Sequence, residues 1–281
     1  MKIAFWSSVG EKSGVTTNMA CIAAMFSVLG NGRSVLLENH YDRENSIGTM
    51  LVSPRYRDCF CEEASYFSKY GIEHLLKGLS VGQDGAELLR RVAVRLPGDN
   101  MFYIPQGYIT NREVFNYDFN LAYSKLFNVL EDFADYVFID TERSQNLTSS
   151  QILYDADLVV VNLLQNQQSF NDFFDNYSSL AEKCVFLIGS YQLGMPWNYR
   201  RICYEYHIST DRIGMIPLNM ELMDANHEGR LVQYIHRNYL KTSGADNVYF
   251  MRHCKRAAHM IRRRITDIRG ERYFQKVSVL P

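Results

Sequence analysis

Short apolar runs that do not alternate, separated by longer stretches with helical spacing, constrain this chain more than any other feature. Lys2–Ser7, Ser34–Glu38, Met101–Ile104, Tyr136–Asp140, Leu158–Leu163, Cys184–Gly189 and Ile213–Ile216 are mostly dense in Val, Ile, Leu or Phe. Such density is expected of strands covered on both faces. Between them, Thr16–Leu29 sets Met19, Ile22, Ala23, Phe26 and Leu29 at helical intervals, and Tyr117–Phe133, Ser169–Glu182 and Asn198–Tyr206 also read as helices. Strands alternating with helices predict an α/β fold, a doubly wound and mostly parallel sheet flanked by helices. No repeat, low-complexity tract or Pro/Gly-rich linker breaks the 281 residues. One domain over residues 1–281 is therefore expected, with a core of 1–240 and a basic C-terminal helical segment, 241–281. Residues 53–98 read as a helical insertion between two strands.

Charge is balanced overall and uneven locally. Lys and Arg number 30 against 31 Asp and Glu, a net charge of −1. Residues 241–281 nevertheless carry +7 and the first 240 carry −8. No global field recruits nucleic acid. No apolar run approaches the roughly 18 residues of a membrane span, and the N-terminus lacks the pattern of a secretory signal. Six cysteines are too sparse for a disulfide framework and fit a cytosolic thiol protein. Cys59 and Cys61 form a lone CxC, which reads as two free thiols rather than a metal site.

The stretch Ser7–Asn18, S-S-V-G-E-K-S-G-V-T-T-N, follows a strand and opens a helix. In that context backbone N–H groups and the helix N-terminus face an anion. Gly10 and Gly14 permit close backbone approach, and Thr16 and Thr17 stand where a hydroxyl holds Mg²⁺. An ordinary strand-to-helix turn with a threonine N-cap explains the same residues.

Strand, loop, Thr-Thr and helix resemble the deviant Walker A motif of the ParA/MinD family, K-G-G-x-G-K-T-T. Thr16 and Thr17 match the two threonines, Gly14 the last glycine and Ser13 the variable position. Glu11 and Lys12 replace two glycines, Gly10 replaces the signature lysine, and Val15 stands at the phosphate lysine. Ser34–Asn45 is similar to the strand and D-x-D-x-Q switch I loop, with Glu38 and His40 at the aspartate positions and Asp42 two residues beyond. Ala134–Ser144 resembles the switch II strand, ending at Asp140. Glu142 and Arg143 stand where a Pro- and Gly-containing turn is usual. Asp157–Phe170 and Asp211–Val232, the latter with a G-x-I-P-like segment, continue the match in order across most of residues 1–240.

The resemblance implies a P-loop fold with ATP and Mg²⁺ as cofactors: Gly10–Thr17 around the phosphates, Thr16 and Asp140 at the metal. Within the family the chain looks most like the TadZ/CpaE group, associated with assembly and polar placement of Flp-type pili. That likeness implies a homodimer working with pilus or secretion assembly proteins, cytoplasmic and recruited to the cell pole or inner-membrane face. Members commonly carry an N-terminal receiver-like domain; with the first strand at Lys2, none is expected here.

The departures bear on chemistry. A phosphate-bound lysine supplies charge-assisted hydrogen bonds of roughly 1.5–3 kcal/mol, and losing one preorganised donor lowers catalysis about 10²–10³-fold. Val15 supplies nothing comparable, so no catalytic residue is assigned and at most a weak ATPase is expected. Two rival functions remain, an active partition ATPase on DNA or membrane and a ligand-free interaction module. His40 reads as a partly exposed loop histidine, its alternative being a phosphate or metal contact. Gly189 stands where the family often has an adenine-reading asparagine, with Tyr191 or Pro217–Asn219 as substitutes. Asn162 and Gln165 read either as crevice residues or as strand-end hydrogen-bonding groups. Asn247–Ile268 reads as a helix with one apolar face and a solvated basic side. Arg262, Arg263 and Arg264 on that side are candidates for weak DNA or membrane contact.

Overall fold

A computed structural model describes residues 1–10, 13–30, 32–40, 46–54, 70–98, 100–107, 111–143 and 146–278, with 272–278 by backbone alone. The candidate residues Glu11 and Lys12, together with Asp42, Cys59 and Cys61, lie outside the described residues.

The strands are β1 (Lys2–Trp6), β2 (Ser34–Glu38), β3 (Val94–Arg95), β4 (Met101–Tyr103), β5 (Tyr136–Asp140), β6 (Leu158–Leu163), β7 (Cys184–Tyr191) and β8 (Ile213–Pro217). They form one sheet in the order β3-β4-β2-β5-β1-β6-β7-β8. Every neighbouring pair is parallel except the edge pair β3/β4. Period-two burial explains the non-alternating sequence: Ala4, Trp6, Val137 and Ile139 enter one apolar cluster, Ile3, Phe5 and Phe138 the other. Both faces are covered, so both sets of side chains are apolar.

On the first face lie α3 (Gly71–Ser80), α4 (Gly85–Val92), α5 (Arg112–Phe133), α6 (Leu147–Asp155), α7 (Gln167–Asn176) and α8 (Tyr199–Glu205). The second face carries α1 (Val15–Val28), α2 (Gly48–Leu51), α9 (Met220–His227), α10 (Leu231–Asn238) and α11 (Ala245–Ser278). In α1, Asn18 through Ser27 are all buried, because the helix is enclosed by the sheet, α10 and α11. A helix buried all round needs no amphipathic pattern.

Some boundaries differ from the expectation. The predicted helix Ser169–Glu182 is α7 followed by a 3₁₀ segment, Ser178–Lys183. The strand expected to end at Gly189 runs to Tyr191 through a register irregularity after Ile188. The described part of 53–98 holds α3, α4 and the edge strand β3. The helix expected over Asn247–Ile268 runs from Ala245 to Ser278.

Helix entries divide into capped and uncapped, and α1 shares with α2, α3 and α10 the absence of a side-chain cap. Asn111, Asn146, Asn166, Asn198 and Asn219 cap α5 through α9, each side chain accepting a backbone N–H of the first turn. Such caps contribute about 1 kcal/mol each. Helix α1 instead starts from Gly14, whose φ of 74° is left-handed, and it has no side-chain cap. Its first N–H groups are left without an intrahelical partner.

Candidate functional site

Ligand crevices in open α/β sheets lie beyond the carboxyl ends of the strands, where the strand order reverses. Here that point is β1, with β5 and β6 on its two sides, and the loop leaving β1 carries the candidate residues. Ser7, Ser8 and Ser13 are buried, and among the described residues the Ser7 and Ser8 hydroxyls have no hydrogen-bond partner. Val15 packs half-buried against the core of the second face, so its side chain serves packing. Thr16 and Thr17 lie half-buried in the first turn of α1, with Thr17 Oγ1 3.7 Å from Met50 Sδ.

Gly10 borders a side chain that spacing alone does not place. A Cβ built on Gly10 would meet Arg143 Nη1 at 3.0 Å. Arg143 is exposed and makes no ion pair among the described residues, so a free guanidinium stands beside the loop that lacks both lysines.

Gly189 has a different role from the one expected. A Cβ there would approach the Ser13 carbonyl oxygen to 2.6 Å and Asn18 Nδ2 to 3.0 Å. The glycine admits the backbone of the β1–α1 loop; no side chain fits between them. Asn18 Nδ2 donates to Asn162 Oδ1 at 2.8 Å, and Asn162 Nδ2 donates to the Val160 carbonyl at 3.1 Å. Asn162 thus ties β6 to α1, and Gln165 exchanges two hydrogen bonds with the backbone of Gln192. Both are strand-end structural groups.

A cavity of about 510 Å³ opens beside this loop, lined by Gly14, Thr17, Asn18, Ser190, Pro217–Asn219 and Asn226, among others. Its volume lies in the usual range for small-molecule sites. The end of β7 bulges into it at Ser190, whose φ is 47°. The Asn226 Oδ1 is buried without a hydrogen-bond partner. Tyr191 is buried and accepts from the Tyr199 amide through its hydroxyl at 3.3 Å, so it does not line the cavity. Pro217 and Leu218 do.

At the carboxyl edge, Glu38 and Asp140 are register partners on β2 and β5, and both side chains share the face of Leu36 and Phe138. His40 Nε2 stands 3.7 Å from Glu38 Oε1 and 3.4 Å from Asp140 Oδ2. Glu38 accepts from Ser46 Oγ at 2.8 Å, the Ile47 amide at 2.5 Å and the Tyr103 hydroxyl at 3.1 Å. Burial pushes the Glu38 carboxyl up to about 7, helped by Asp140 and opposed by His40 and those hydrogen bonds. For His40 burial works against the imidazolium, but Asp140, then Glu38 and Glu142, carry it up to about 9. His40 lies in the bend after β2 with its side chain 13% exposed, as a loop histidine, and it stands between two carboxylates that come together through strand register. The side chain that stands against Asp140 is His40.

This fold recurs in known structures. The fold is that of the ParA/MinD P-loop ATPases. A ParA family ATPase from Chlorobium tepidum TLS superposes with a TM-score of 0.67 at 14% identity, over 92% of this chain and 98% of that one. A plasmid partition protein from Borrelia burgdorferi B31 bound to AMPPNP gives 0.62 at 16% identity, over 93% and 98%. The septum site-determining protein MinD from Pyrococcus horikoshii OT3, complexed with Mg-ADP, gives 0.62 at 10% identity, over 92% and 95%. No protein-family model and no curated protein matches the sequence.

Helix α11 buries Phe250, Cys254, Ala257, Ala258, Ile261, Ile265 and Ile268 against the β8 side of the ParA/MinD-like sheet. Arg262 and Arg263 are exposed. Arg264 is half-buried, reaching the Glu182 carbonyl at 3.4 Å and Glu271 at 3.6 Å. Among the described residues no helix is long and apolar enough to cross a membrane.

Proposed function

We propose that this protein is a ParA/MinD-like ATP-binding switch with a degenerate Walker A loop and weak or no hydrolysis, dimerising when nucleotide is bound. The observation that carries this reading is the 510 Å³ cavity, which joins the uncapped start of α1 to Pro217–Asn219 and Asn226. The base occupies the Pro217–Asn226 end, where the unpartnered Asn226 oxygen accepts from an exocyclic amine. Phosphates lie over the β1–α1 loop and meet the free N–H groups of α1, whose dipole favours negative charge. Arg143 supplies, from the turn after β5, positive charge that Val15 does not.

The residues present also fit Mg²⁺. Asp140 Oδ2 is buried and accepts no hydrogen bond, and Thr16 offers a hydroxyl in the first turn of α1; these two would hold the ion. Magnesium supplies neutralisation of phosphate charge when bound. Glu38 and His40 stand at the positions of the switch I carboxylates, and among the described residues no group is assigned to orient an attacking water. Slow turnover follows from that replacement together with the loss of the loop lysine.

The likeness to the TadZ/CpaE group supports a scaffold role in the placement or assembly of a Flp-type pilus or secretion system, at the cell pole or inner-membrane face. The solvated basic side of α11, with Arg262 and Arg263, gives a weak contact surface for DNA phosphate or anionic lipid. Titration calorimetry with Mg-AMPPNP tests the nucleotide reading. One site per chain is expected, and Arg143→Ala weakens it roughly tenfold to a hundredfold, the worth of one charge-assisted bond. Absence of binding by the wild-type protein overturns it in favour of a ligand-free interaction module.

A further inference from the structure

The three side chains at the edge of β2 and β5 form a loose ion-paired cluster whose donor atoms are also grouped as the ligands of one cation would be. Charge-assisted hydrogen bonds close to about 2.7–2.9 Å. His40 Nε2 instead keeps 3.4 Å from Asp140 Oδ2 and 3.7 Å from Glu38 Oε1. Two ligand atoms bonded at about 2.0–2.1 Å to one tetrahedral ion stand roughly 3.3–3.4 Å apart. One donor atom from each of Glu38, His40 and Asp140 lies within 4.8 Å of the other two. Both His40 contacts are longer than charge-assisted hydrogen bonds, and the His40–Asp140 separation matches that of two ligands on one small cation.

A second observation points into the same space. Asp140 is 2% exposed, yet its Oδ2 accepts no hydrogen bond. Among the described residues that oxygen has the His40 imidazole at 3.4 Å; a divalent cation between the three groups, displacing the His40 proton, gives it a direct ligand bond instead. Glu38 is held in place from behind by Ser46, Ile47 and Tyr103, the kind of support that orients a ligating carboxylate.

We propose that Glu38, His40 and Asp140 bind one divalent transition-metal ion, Zn²⁺ or Co²⁺ in preference to Mg²⁺, in the absence of nucleotide. Magnesium selects oxygen donors in octahedral geometry, whereas an imidazole suits zinc and its neighbours. Three protein ligands leave a fourth position open to water or a ligand oxygen. The site reaches beyond the nucleotide reading and stands without it, because the ion is held by protein groups alone.

The test uses full-length protein stripped with a chelator and then dialysed, with Cys59 and Cys61 replaced by serine so that the CxC thiols cannot bind metal. Cobalt is titrated in without nucleotide and followed by visible absorption. One equivalent is expected, with a nitrogen/oxygen-ligand spectrum, displacement by Zn²⁺ and no displacement by millimolar Mg²⁺. His40→Gln should weaken binding by at least tenfold, and Asp140→Asn should do the same while circular dichroism stays unchanged. No stoichiometric binding to the parent protein, a thiolate charge-transfer band, ready displacement by Mg²⁺, or full binding by His40→Gln each overturns the proposal. A protein that takes cobalt but no AMPPNP separates this site from the nucleotide reading.

Discussion

Gly189 shows how one residue decides what the crevice can contain. Its missing side chain lets β7 close onto the β1–α1 loop, with a virtual Cβ only 2.6 Å from the Ser13 carbonyl oxygen. That neighbour is backbone and cannot rotate away. Gly189→Ala should therefore destabilise the fold by about 1–3 kcal/mol, as overpacking does, lowering the thermal midpoint and disturbing the loop that carries Ser13 and Gly14. An unchanged melting temperature would show that the loop is not pinned there. Asn18 and Asn162 fasten the same junction from the β6 side. The loop is thus positioned by β6 and β7 together, although its own sequence lacks the lysines that define the motif.

At the scale of elements, α10 brings a pH dependence. His236 packs near Gly98, its Nε2 has no hydrogen-bond partner, and burial holds its pKa below the ordinary value. The unfolded chain then binds more protons than the folded one as pH drops through about 6.5. Stability from this residue is present above that pH and lost as pH falls toward the folded value. Thermal melts at successive pH values should show a decline below about 6.5, shallower in His236→Gln. An equal slope in both proteins would contradict the assignment.

The same scale explains what was legible in the sequence. β1, β2, β5 and β6 stood out because strands with two buried faces leave dense apolar runs, and α1 because its apolar residues recur at helical spacing. The two-residue β3 leaves no periodicity, and α9 and α10 are only eight residues each. The extension of β7 was hidden by Gly189, which looks like a strand end and is a close approach. Asp140 was legible as an acid ending an apolar strand. His40 was not, because its partners come from register: Glu38 and Asp140 are 102 positions apart in sequence and directly paired across β2 and β5. Arg143 carried a signal as a charged residue where a turn is usual, but its position against Gly10 depends on how the chain leaves β5.

For the whole molecule, the uneven charge has a structural meaning. The acidic first 240 residues contain the crevice, where the proposed anion site relies on local amides and Arg143, so that net charge matters little. The basic end is α11, whose apolar side completes the core of the second face and whose exposed side holds Arg262 and Arg263. The fold is that of the ParA/MinD P-loop ATPases, and the proposed function is a protein on that fold that binds nucleotide and hydrolyses it slowly or not at all. Incubating the protein with radiolabelled ATP and Mg²⁺, isolating it by gel filtration and analysing the bound nucleotide tests that claim most directly. About one nucleotide per chain, still triphosphate after hours, is the predicted result; nucleotide-free protein, or bound ADP with steady phosphate release, would contradict it.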